Sequence, residues 1–199
     1  TIKVPLKHFT LVGATTRAGL LSAPLRERFG LFHHLDFYPT DELAEILRRS
    51  AEILGVPLKG DADMEIATRS RGTPRVANRL LKRVRDYAEV KVDGIITIET
   101  VNASLKMEGI DDIGLDKFDR KYLKALIEFY NGGPVGVEAL AATLNEEQDT
   151  LADMVEPFLL KIGFVIRTAS GRRATERAFQ HMGYPYKPKA EEEGLPSLF

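Results

Sequence analysis

The sequence predicts a mostly helical protein with three parts: a short α/β segment, a bundle of helices, and a second helical region that ends in a β-hairpin. The first apolar run, residues 9–14, is short and bounded by polar residues, as in a buried strand of a parallel sheet. Apolar residues then recur at helical spacing between residues 40 and 109. Three further helical patterns precede Ala169-Ser-Gly171, a turn signal between two short β-type runs.

The composition is that of a globular protein and excludes several kinds of site. Of the 199 residues, 44% are hydrophobic and 29% are charged, and the formal net charge is −1. A nucleic-acid partner would therefore have to bind a local basic patch. The absence of cysteine excludes disulfides and thiolate metal sites, and the four histidines lack partners at metal-ligand spacing. No apolar run approaches the roughly 20 residues of a membrane span and no signal peptide is recognised, so we expect a cytoplasmic protein.

The N-terminal segment is predicted to be the end of a larger sheet-containing domain. The strand at residues 9–14 requires hydrogen-bonded neighbours, and residues 31–38 alternate loosely like another strand. Between them, Ser22 is expected to cap a short helix that ends near Gly30. The sequence begins with Thr1 and not with methionine. We therefore expect that the first half of the domain is absent, and a sheet completed by another chain is the alternative.

Four helices with short connections are predicted in the middle of the chain, as in a compact bundle. Their ends carry the usual signals: threonine N-caps, a proline at a first helical position, and glycines after the last turn. The signals are Thr40 and Gly55 for the first helix, residues 61–70 for the second, Thr73 and Pro74 for the third, and Thr97 and Gly109 for the fourth.

Beyond a linker at residues 110–114, three helices are followed by a hairpin, which is the order of elements in a winged-helix domain. The third helix contains Pro157, which is expected to bend it. Residues after Gly183 are rich in proline, lysine and glutamate, as in a disordered tail. The three helices are predicted at residues 116–130, 136–144 and 146–162. The chain is thereby divided into residues 1–38, 39–109, 110–183 and 184–199.

Three short motifs suit phosphate chemistry. Gly13-Ala-Thr-Thr-Arg17 follows the predicted strand, where ligands bind in α/β sheets, so a threonine hydroxyl could hold water or sense a γ-phosphate. Arg26 and Arg28 point in different directions on a short helix, so one could reach across a subunit boundary. Arg75 falls in the first turn of a helix, where free N–H groups and the dipole favour an anion such as phosphate. The alternatives are a turn cap, a solvated helix and an arginine that extends into water.

Basic residues surround the hairpin, whereas the helix before it is acidic. Arginines on a β-turn suit contacts with DNA phosphates, and the acidic helix would repel them. We therefore expect the hairpin, and not the helix, to contact DNA. The basic residues are Arg167, Arg172, Arg173 and Arg177, and the acidic ones are Glu146, Glu147, Asp149, Asp153 and Glu156.

Taken together, these motifs resemble the bacterial RuvB family over roughly residues 5–183. The resemblance implies the C-terminal end of a large AAA+ ATPase domain, its small helical lid domain and a winged-helix domain. It also implies an ATP- and Mg²⁺-dependent homohexameric motor that drives branch migration of Holliday junctions. The implied partners are Holliday junction DNA, a RuvA-type junction-binding protein and a RuvC-type resolvase. The matching segments are Gly13-Ala-Thr-Thr-Arg-Ala-Gly19, Pro24-Leu-Arg-Glu-Arg-Phe-Gly30, Arg71-Gly-Thr-Pro-Arg-Val-Ala-Asn-Arg-Leu-Leu81, Arg85-Asp-Tyr-Ala-Glu-Val90, Gly132-Gly-Pro-Val-Gly136 and the arginines of the hairpin.

The resemblance assigns nucleotide-related roles to four residues. Thr16 matches the catalytic sensor-1 position, and Arg28 matches the catalytic arginine finger that acts on the ATP of a neighbouring subunit. Arg75 matches the sensor-2 arginine of the lid, and Tyr38 matches a position that contacts the nucleotide near the adenine.

The sequence departs from the family pattern at the hairpin and near the N-terminus. Arg167 and Arg172 match DNA contacts, but the family's middle arginine is missing from Arg167-Thr-Ala-Ser-Gly-Arg172, and Arg173 follows as a further candidate. No Gly-x-x-x-x-Gly-Lys-[Ser/Thr] loop occurs, and no Asp-Glu pair ends a strand ahead of residue 15. Because those residues bind the phosphates and Mg²⁺, we expect this polypeptide to be inactive as an ATPase on its own.

Two other functions remain open at this point. A clamp loader or an origin-binding initiator belongs to the same ATPase superfamily, and some of these share the lid and a winged domain. A free-standing winged-helix DNA-binding protein is of a different class. The acidic third helix and the additional helical bundle argue against it.

Overall fold

The computed structural model describes residues 7–15 and 18–187, and its contacts divide the chain into two compact units, Thr1–Asp36 and Phe37–Phe199. The first unit contains a 3₁₀ turn at Ala18–Leu20 and helix α1 at Ala23–Arg26. Ser22 precedes α1 in an extended conformation, and a proline lies in its first turn. The short helix predicted after Ser22 is therefore present, but the Ser22 side chain makes no capping hydrogen bond and the helix ends at Arg26, before Gly30.

The two strands predicted for the first unit do not form. Residues 9–14 and 31–36 have no regular secondary structure, and no described segment pairs with them. Their apolar side chains are exposed instead, Val12 by 86% and Leu35 by 87%. A strand buried in a parallel sheet requires hydrogen-bonded neighbours on each side, and the described residues supply none. The sequence thus has the apolar pattern of a buried strand, but the described residues include no neighbouring strand to pair with it.

The second unit begins with a helical bundle, here called the lid bundle, whose four helices match the prediction. Thr73 and Thr97 cap the N-termini of the third and fourth helices as expected. Gly55 and Gly109 adopt the left-handed conformation that ends the first and fourth helices. Thr40 differs from the prediction because it is the first helical residue and Pro39 precedes it. The helices are α2 (Thr40–Leu54), α3 (Ala62–Thr68), α4 (Pro74–Lys91) and α5 (Ile98–Glu108).

The lid bundle buries one apolar face of each helix in a common core. Leu47 of α2, Ile66 of α3, Leu80 of α4 and Leu105 of α5 are all at most 2% exposed. This agrees with the helical spacing of apolar residues in the sequence. No helix in the described part of the chain is both long and apolar enough to cross a membrane.

The rest of the second unit, here called the winged bundle, contains helices around a two-stranded hairpin. Its elements are α6 (Lys117–Glu128), α7 (Val137–Leu144), α8 (Gln148–Thr150), a π-helical turn (Leu151–Val155), α9 (Glu156–Lys161), β1 (Val165–Thr168), β2 (Gly171–Ala174) and α10 (Glu176–Met182). Tyr122, Leu126, Leu140 and Leu159 are fully buried in its core. The prediction of a mostly helical chain with a helical bundle and a winged-helix region is confirmed.

The third helix of this bundle is interrupted rather than bent. Residues 148–161 pass from α8 through the π-helical turn to α9, where Pro157 lies in the first turn. A proline cannot donate to a carbonyl one turn earlier, and its ring crowds that carbonyl. The sequence thus predicted the position of the irregularity correctly. Its form is an interruption of the regular α-helical hydrogen bonds and not a bend.

The hairpin, here called the wing, is fixed to the bundle along β2. Arg167 pairs with Arg172 across the hairpin, and Ile166 pairs with Arg173. Val135 bonds the backbone of Arg172 on the outer edge, with N–H···O distances of 3.0 and 2.8 Å. Strand β2 is thus the central one of three short extended segments.

Two features at the C-terminal end differ from the prediction. Helix α10 follows the wing where no helix was expected, and it buries Ala178 and Phe179. The tail was predicted to begin at residue 184, yet Tyr184 and Tyr186 pack on the winged core. The Tyr184 hydroxyl donates to Glu128 Oε1 at 2.5 Å. The part of the predicted tail from residue 188 onward lies outside the described residues.

The predicted linker at residues 110–114 is an ordered joint. The Asp111 carboxylate accepts hydrogen bonds from the N–H groups of Ile113 and Leu115, at 3.2 and 2.7 Å. Gly114 has a φ of +89°, and a Cβ at this position would lie 2.6 Å from the carbonyl oxygen of Arg69 in the lid bundle. Only glycine allows both this backbone conformation and this close approach.

Replacing Gly114 with alanine is expected to lower the free energy of unfolding of the second unit by about 2 kcal/mol or more, because the methyl group both strains φ and collides with backbone. The matched control is Gly136→Ala, at a helix N-cap with an ordinary φ of −66° and no atom near the added methyl. That change should cost about 0.5 kcal/mol. Denaturant unfolding measures both, and equal losses would contradict a packed joint at Gly114.

Candidate functional site

The predicted phosphate-sensing arginine lies at the start of α4. Thr73 caps this helix by accepting a hydrogen bond from the Val76 N–H at 3.4 Å, and Pro74 occupies the first turn. Arg75 follows Pro74 and is exposed. Its side chain has no hydrogen bond or ion pair to another described residue. A cation beside the positive end of a helix is unfavourable without an anion, so this arrangement suits a phosphate.

Tyr38 lies beside the turn that leads into the same helix. Its backbone N–H donates to the carbonyl of Gly72 at 2.9 Å, although the two residues are 34 positions apart in the sequence. The Tyr38 side chain is 44% exposed. Tyr38 and Arg75, assigned separately by resemblance, therefore flank one short turn at residues 72–74. An exposed aromatic ring next to an unpaired guanidinium can contact a base and a phosphate of one ligand.

The two catalytic residues of the prediction belong to the first unit. Arg28 follows the end of α1, is exposed, and has no hydrogen bond or ion pair to another described residue through its side chain. Thr16 lies outside the described residues. The role of an arginine acting on another subunit thus stays a prediction for Arg28, as does the sensor role of Thr16.

The wing arginines converge on a buried carboxylate. Glu156 is fully buried at the start of α9, between the wing and α6. Arg167 donates to Glu156 Oε2 from Nε at 2.9 Å and from Nη2 at 2.5 Å. Arg172 donates to Oε1 from Nε at 2.8 Å. The hydroxyl of Tyr122 completes the cluster at 3.2 Å from Oε1. We call these four residues the Glu156 cluster.

The electrostatics of the Glu156 cluster keep the carboxylate ionised. Burial by itself raises the pKa of Glu156, but the hydrogen bonds and charges of Arg172 and Arg167 outweigh it and hold the pKa below its usual value. Burial and the neighbouring carboxylate raise the pKa of the Tyr122 hydroxyl, so that it remains a donor. A buried ion with this many partners is a structural centre of the domain.

This geometry changes two expectations from the sequence. Glu156 was counted with the acidic face of the third helix, but it is buried and does not face DNA. Arg167 and Arg172 do lie side by side as expected, yet their guanidiniums face this carboxylate, with side-chain exposures of 48% and 19%. Their DNA contacts stay a prediction. Replacing both arginines would also leave the buried Glu156 carboxylate without a charged partner.

Arg173 lies on the other face of the wing. Directly opposed residues of antiparallel strands share a face, and neighbouring residues alternate. Arg173, which pairs with Ile166, therefore faces away from the Glu156 cluster. Ile166 is 43% exposed on that face. The acidic surface predicted nearby is present, because Glu138, Glu146, Glu147 and Asp149 line one surface cleft.

The role of Glu156 was missed by sequence reasoning, and so were the contacts of Arg71. Glu156 stands in a run of acidic residues, so nothing local distinguishes it from its exposed neighbours. Arg71 was recognised only as the first residue of the Arg75 motif. In the structure, it has a left-handed φ of +55° and reaches the winged bundle. The glycine that follows it was the one available signal of a tight turn at this point.

The change Arg172→Ala is expected to lower the free energy of unfolding of the winged bundle by about 3 kcal/mol, because it removes one of two charged partners from a buried carboxylate. Arg177→Ala is the matched control, since Arg177 is an exposed arginine of the following helix, and it should change stability by less than about 0.5 kcal/mol. Thermal and denaturant unfolding compare the variants. Equal stabilities would show that Glu156 does not depend on Arg172.

The chain is similar to known proteins in both sequence and structure. Three family models match successive segments: the "Holliday junction DNA helicase RuvB P-loop domain" at residues 1–35, the "RuvB AAA lid domain" at residues 38–111, and the "RuvB C-terminal winged helix domain" at residues 112–183. A curated relative from Desulfosudis oleivorans, the "Holliday junction branch migration complex subunit RuvB", is 56% identical over 182 residues. That match covers 92% of this chain and 53% of the relative.

Solved structures agree with the sequence matches. The Thermotoga maritima RuvB Holliday junction branch migration motor is 54% identical, with a TM-score of 0.85 over 90% of this chain and 60% of that one. A point mutant of the same protein gives a TM-score of 0.88 at 51% identity, over 94% of this chain and 62% of the mutant's. The chain spans about half the length of the curated relative and about three fifths of the solved chains. The chain belongs to the RuvB family.

Proposed function

We propose that this chain works within an ATP-driven DNA motor that moves the branch point of Holliday junctions. In this proposal, residues 1–38 belong to the large ATPase domain, residues 39–109 form the lid, and residues 110–183 form the DNA-binding domain. The observation that carries it is Arg75, an exposed cation at the positive end of α4 beside Tyr38. This arrangement favours a nucleotide bound at the lid, and membership of the RuvB family favours a branch-migration motor over a clamp loader or an initiator.

The proposed ligand of the lid is ATP, with Mg²⁺ bound by residues of a complete P-loop domain. Arg75 would contact the terminal phosphates, and Tyr38 would pack near the adenine. Because this sequence has no Gly-x-x-x-x-Gly-Lys-[Ser/Thr] loop, the polypeptide by itself should not hydrolyse ATP. The exposed apolar residues of the first unit, such as Phe9, Val12 and Leu35, are consistent with a domain that is completed by further strands.

Arg28 would act on a different ATP from Arg75. An arginine whose side chain pairs with no described residue of its own chain can stabilise the charge that develops on a transferring phosphoryl group of a neighbouring subunit. This arrangement requires a ring, and we propose a homohexamer. Thr16 would sense the γ-phosphate within the subunit. The further partners in this proposal are Holliday junction DNA, a RuvA-type junction-binding protein and a RuvC-type resolvase, all in the cytoplasm.

DNA would meet the wing on the face of Arg173 and along the exposed part of Arg167. The winged bundle presents an acidic cleft elsewhere, which disfavours a sequence-reading helix in the major groove. We therefore propose weak binding that depends on phosphate contacts and varies strongly with salt. The alternative of a free-standing winged-helix regulator predicts the opposite result, namely sequence-specific duplex binding by this chain alone.

The change Arg75→Ala should weaken ATP binding by about tenfold, or about 1.4 kcal/mol, in a RuvB-type protein that combines these residues with a complete P-loop domain. The reason is the loss of a phosphate contact present in the ground state and the transition state. Isothermal calorimetry with ATP measures it. Arg79→Ala, one turn further along the exposed side of α4, is the control and should keep the affinity within about twofold. If both variants bind ATP like the unchanged protein, the proposed nucleotide site is wrong.

The change Arg173→Ala should weaken DNA binding, because Arg173 faces away from Glu156 and would contact a DNA phosphate. It should also flatten the slope of log affinity against log salt by about one unit, as for the loss of one phosphate contact. Fluorescence anisotropy with junction DNA at several salt concentrations gives both quantities. The control is Glu176→Ala, an exposed acidic residue on α10, which should not lower affinity. An unchanged slope for Arg173→Ala would rule out this face of the wing.

A further inference from the structure

Arg71 connects the lid bundle to the winged bundle through several contacts at once. Its Nε donates to the carbonyl of Gly114 at 3.0 Å, and its Nη2 donates to Asp116 Oδ2 at 3.0 Å and also to Asp119. The guanidinium lies over the ring of Phe158, 4.9 Å from its centroid. All of these acceptors and the ring belong to the winged bundle or to the joint before it. Arg71 is thus a lid residue whose described side-chain contacts leave the lid.

The acceptors of Arg71 are themselves held in place. Asp116 and Asp119 form a capping box at the start of α6, in which each carboxylate accepts a hydrogen bond from the backbone N–H of the other residue. Asp119 is 1% exposed. Burial raises its pKa to about 6 in spite of the facing guanidinium. A buried carboxylate in a helix cap moves together with its helix. By binding Asp119, Arg71 is therefore connected to α6 as a whole.

A second contact joins the winged bundle to the segment that directly precedes the lid. Lys161, at the end of α9, places its Nζ 4.1 Å from the centroid of the Phe37 ring. Phe37 precedes Tyr38, whose N–H bonds the carbonyl of Gly72. A Cβ at Gly72 would collide with both Lys161 and Phe37. We call Phe37, Arg71, Gly72, Asp116, Asp119, Phe158 and Lys161 the lid–wing junction.

The lid–wing junction is rigidly continuous with the turn that carries Arg75. The Thr73 N–H donates to the carbonyl of Ser70 at 3.1 Å, and the buried Ser70 hydroxyl donates to the carbonyl of Ile66 at 2.6 Å. Hydrogen bonds therefore hold the chain on both sides of Arg71. A displacement of Arg75 would be transmitted to Arg71, and through it to the start of α6.

We propose that Arg71 is a positioning residue that locks the winged bundle to the nucleotide-sensing turn, so that lid and wing move as one rigid arm. The coupling to nucleotide rests on the proposed function, whereas the lock itself does not. Arg71 touches no reacting atom in this proposal. Its effect is to convert a small shift at Arg75 into a shift of the wing that contacts DNA.

The first test measures the lock in this chain alone. The sequence contains no cysteine, so Glu52→Cys on α2 and Gln180→Cys on α10, both exposed positions, provide a unique pair for spin labels. Double electron–electron resonance should give one narrow distance for the unchanged junction. Arg71→Gln should at least double the width of the distribution, and Arg71→Lys, which keeps the charge but not the fork of donors, should give an intermediate width.

Arg85→Gln is the matched control for the label experiment. Arg85 is a lid arginine that pairs with Asp86 and Glu89 of its own helix, so its loss should leave the distance narrow. Lys161→Gln is a second junction variant at an exposed position and should broaden the distribution even if Arg71→Gln fails to fold. Narrow distributions in folded Arg71→Gln and in Lys161→Gln would overturn the proposal.

The second test measures coupling in a RuvB-type protein that combines these residues with a complete P-loop domain. Arg71→Gln should keep basal ATPase within about twofold, while branch migration per ATP hydrolysed falls by about tenfold or more. If Arg71→Gln broadens the label distance but leaves branch migration per ATP hydrolysed unchanged, the proposed coupling between nucleotide and wing is refuted. If the unchanged protein shows no ATP-dependent branch migration, the proposed function fails, and the label distances still decide whether Arg71 locks the two bundles.

Discussion

The fold of the winged bundle depends on one ionised carboxylate that is fully enclosed. Glu156 sits at the start of α9 with no access to solvent, and an isolated charge in such a place is strongly unfavourable. Two guanidiniums from opposite strands of the wing and one hydroxyl from α6 satisfy its oxygens. The position of the wing follows from this requirement, since a hairpin in another orientation would leave the charge without partners.

The same physical rule operates at the boundary between the two bundles. Asp119 is buried at the cap of α6, and Arg71 comes from the lid to neutralise it. Each of these buried carboxylates therefore determines a relationship between elements that are distant in the sequence. The wing is attached to its bundle by Glu156, and the bundle is attached to the lid by Asp119. Arginine suits both places because its planar fork can serve several acceptors at once.

The two faces of the wing place its arginines in different surroundings. A hairpin has two faces, and alternation along each strand assigns neighbouring residues to different ones. Arg172 faces the interior and bonds Glu156, while Arg173 faces the other way. Two adjacent arginines thus face different surroundings. A count of arginines in the hairpin, which is all the sequence offers, cannot distinguish them.

The sequence by itself determined the features whose causes lie within a few residues. The caps Thr73 and Thr97, the glycines that end α2 and α5, and the break at Pro157 all follow from local backbone chemistry. Helical spacing also predicted the core of the lid bundle, and the motif around Arg75 pointed to a phosphate and to the RuvB family. These signals act over one or two helical turns, so a linear reading is sufficient to find them.

Only the tertiary structure decided which partners meet over long distances. Arg71 and Asp119 are 48 residues apart, and Arg172 and Glu156 are 16 apart, so no local pattern pairs them. Residues 9–14 show the converse, because a strand-like pattern forms no strand among the described residues when nothing pairs with it. The physical reason is the same in each case. The state of a charge or a backbone hydrogen bond depends on the group that faces it, and folding chooses that group.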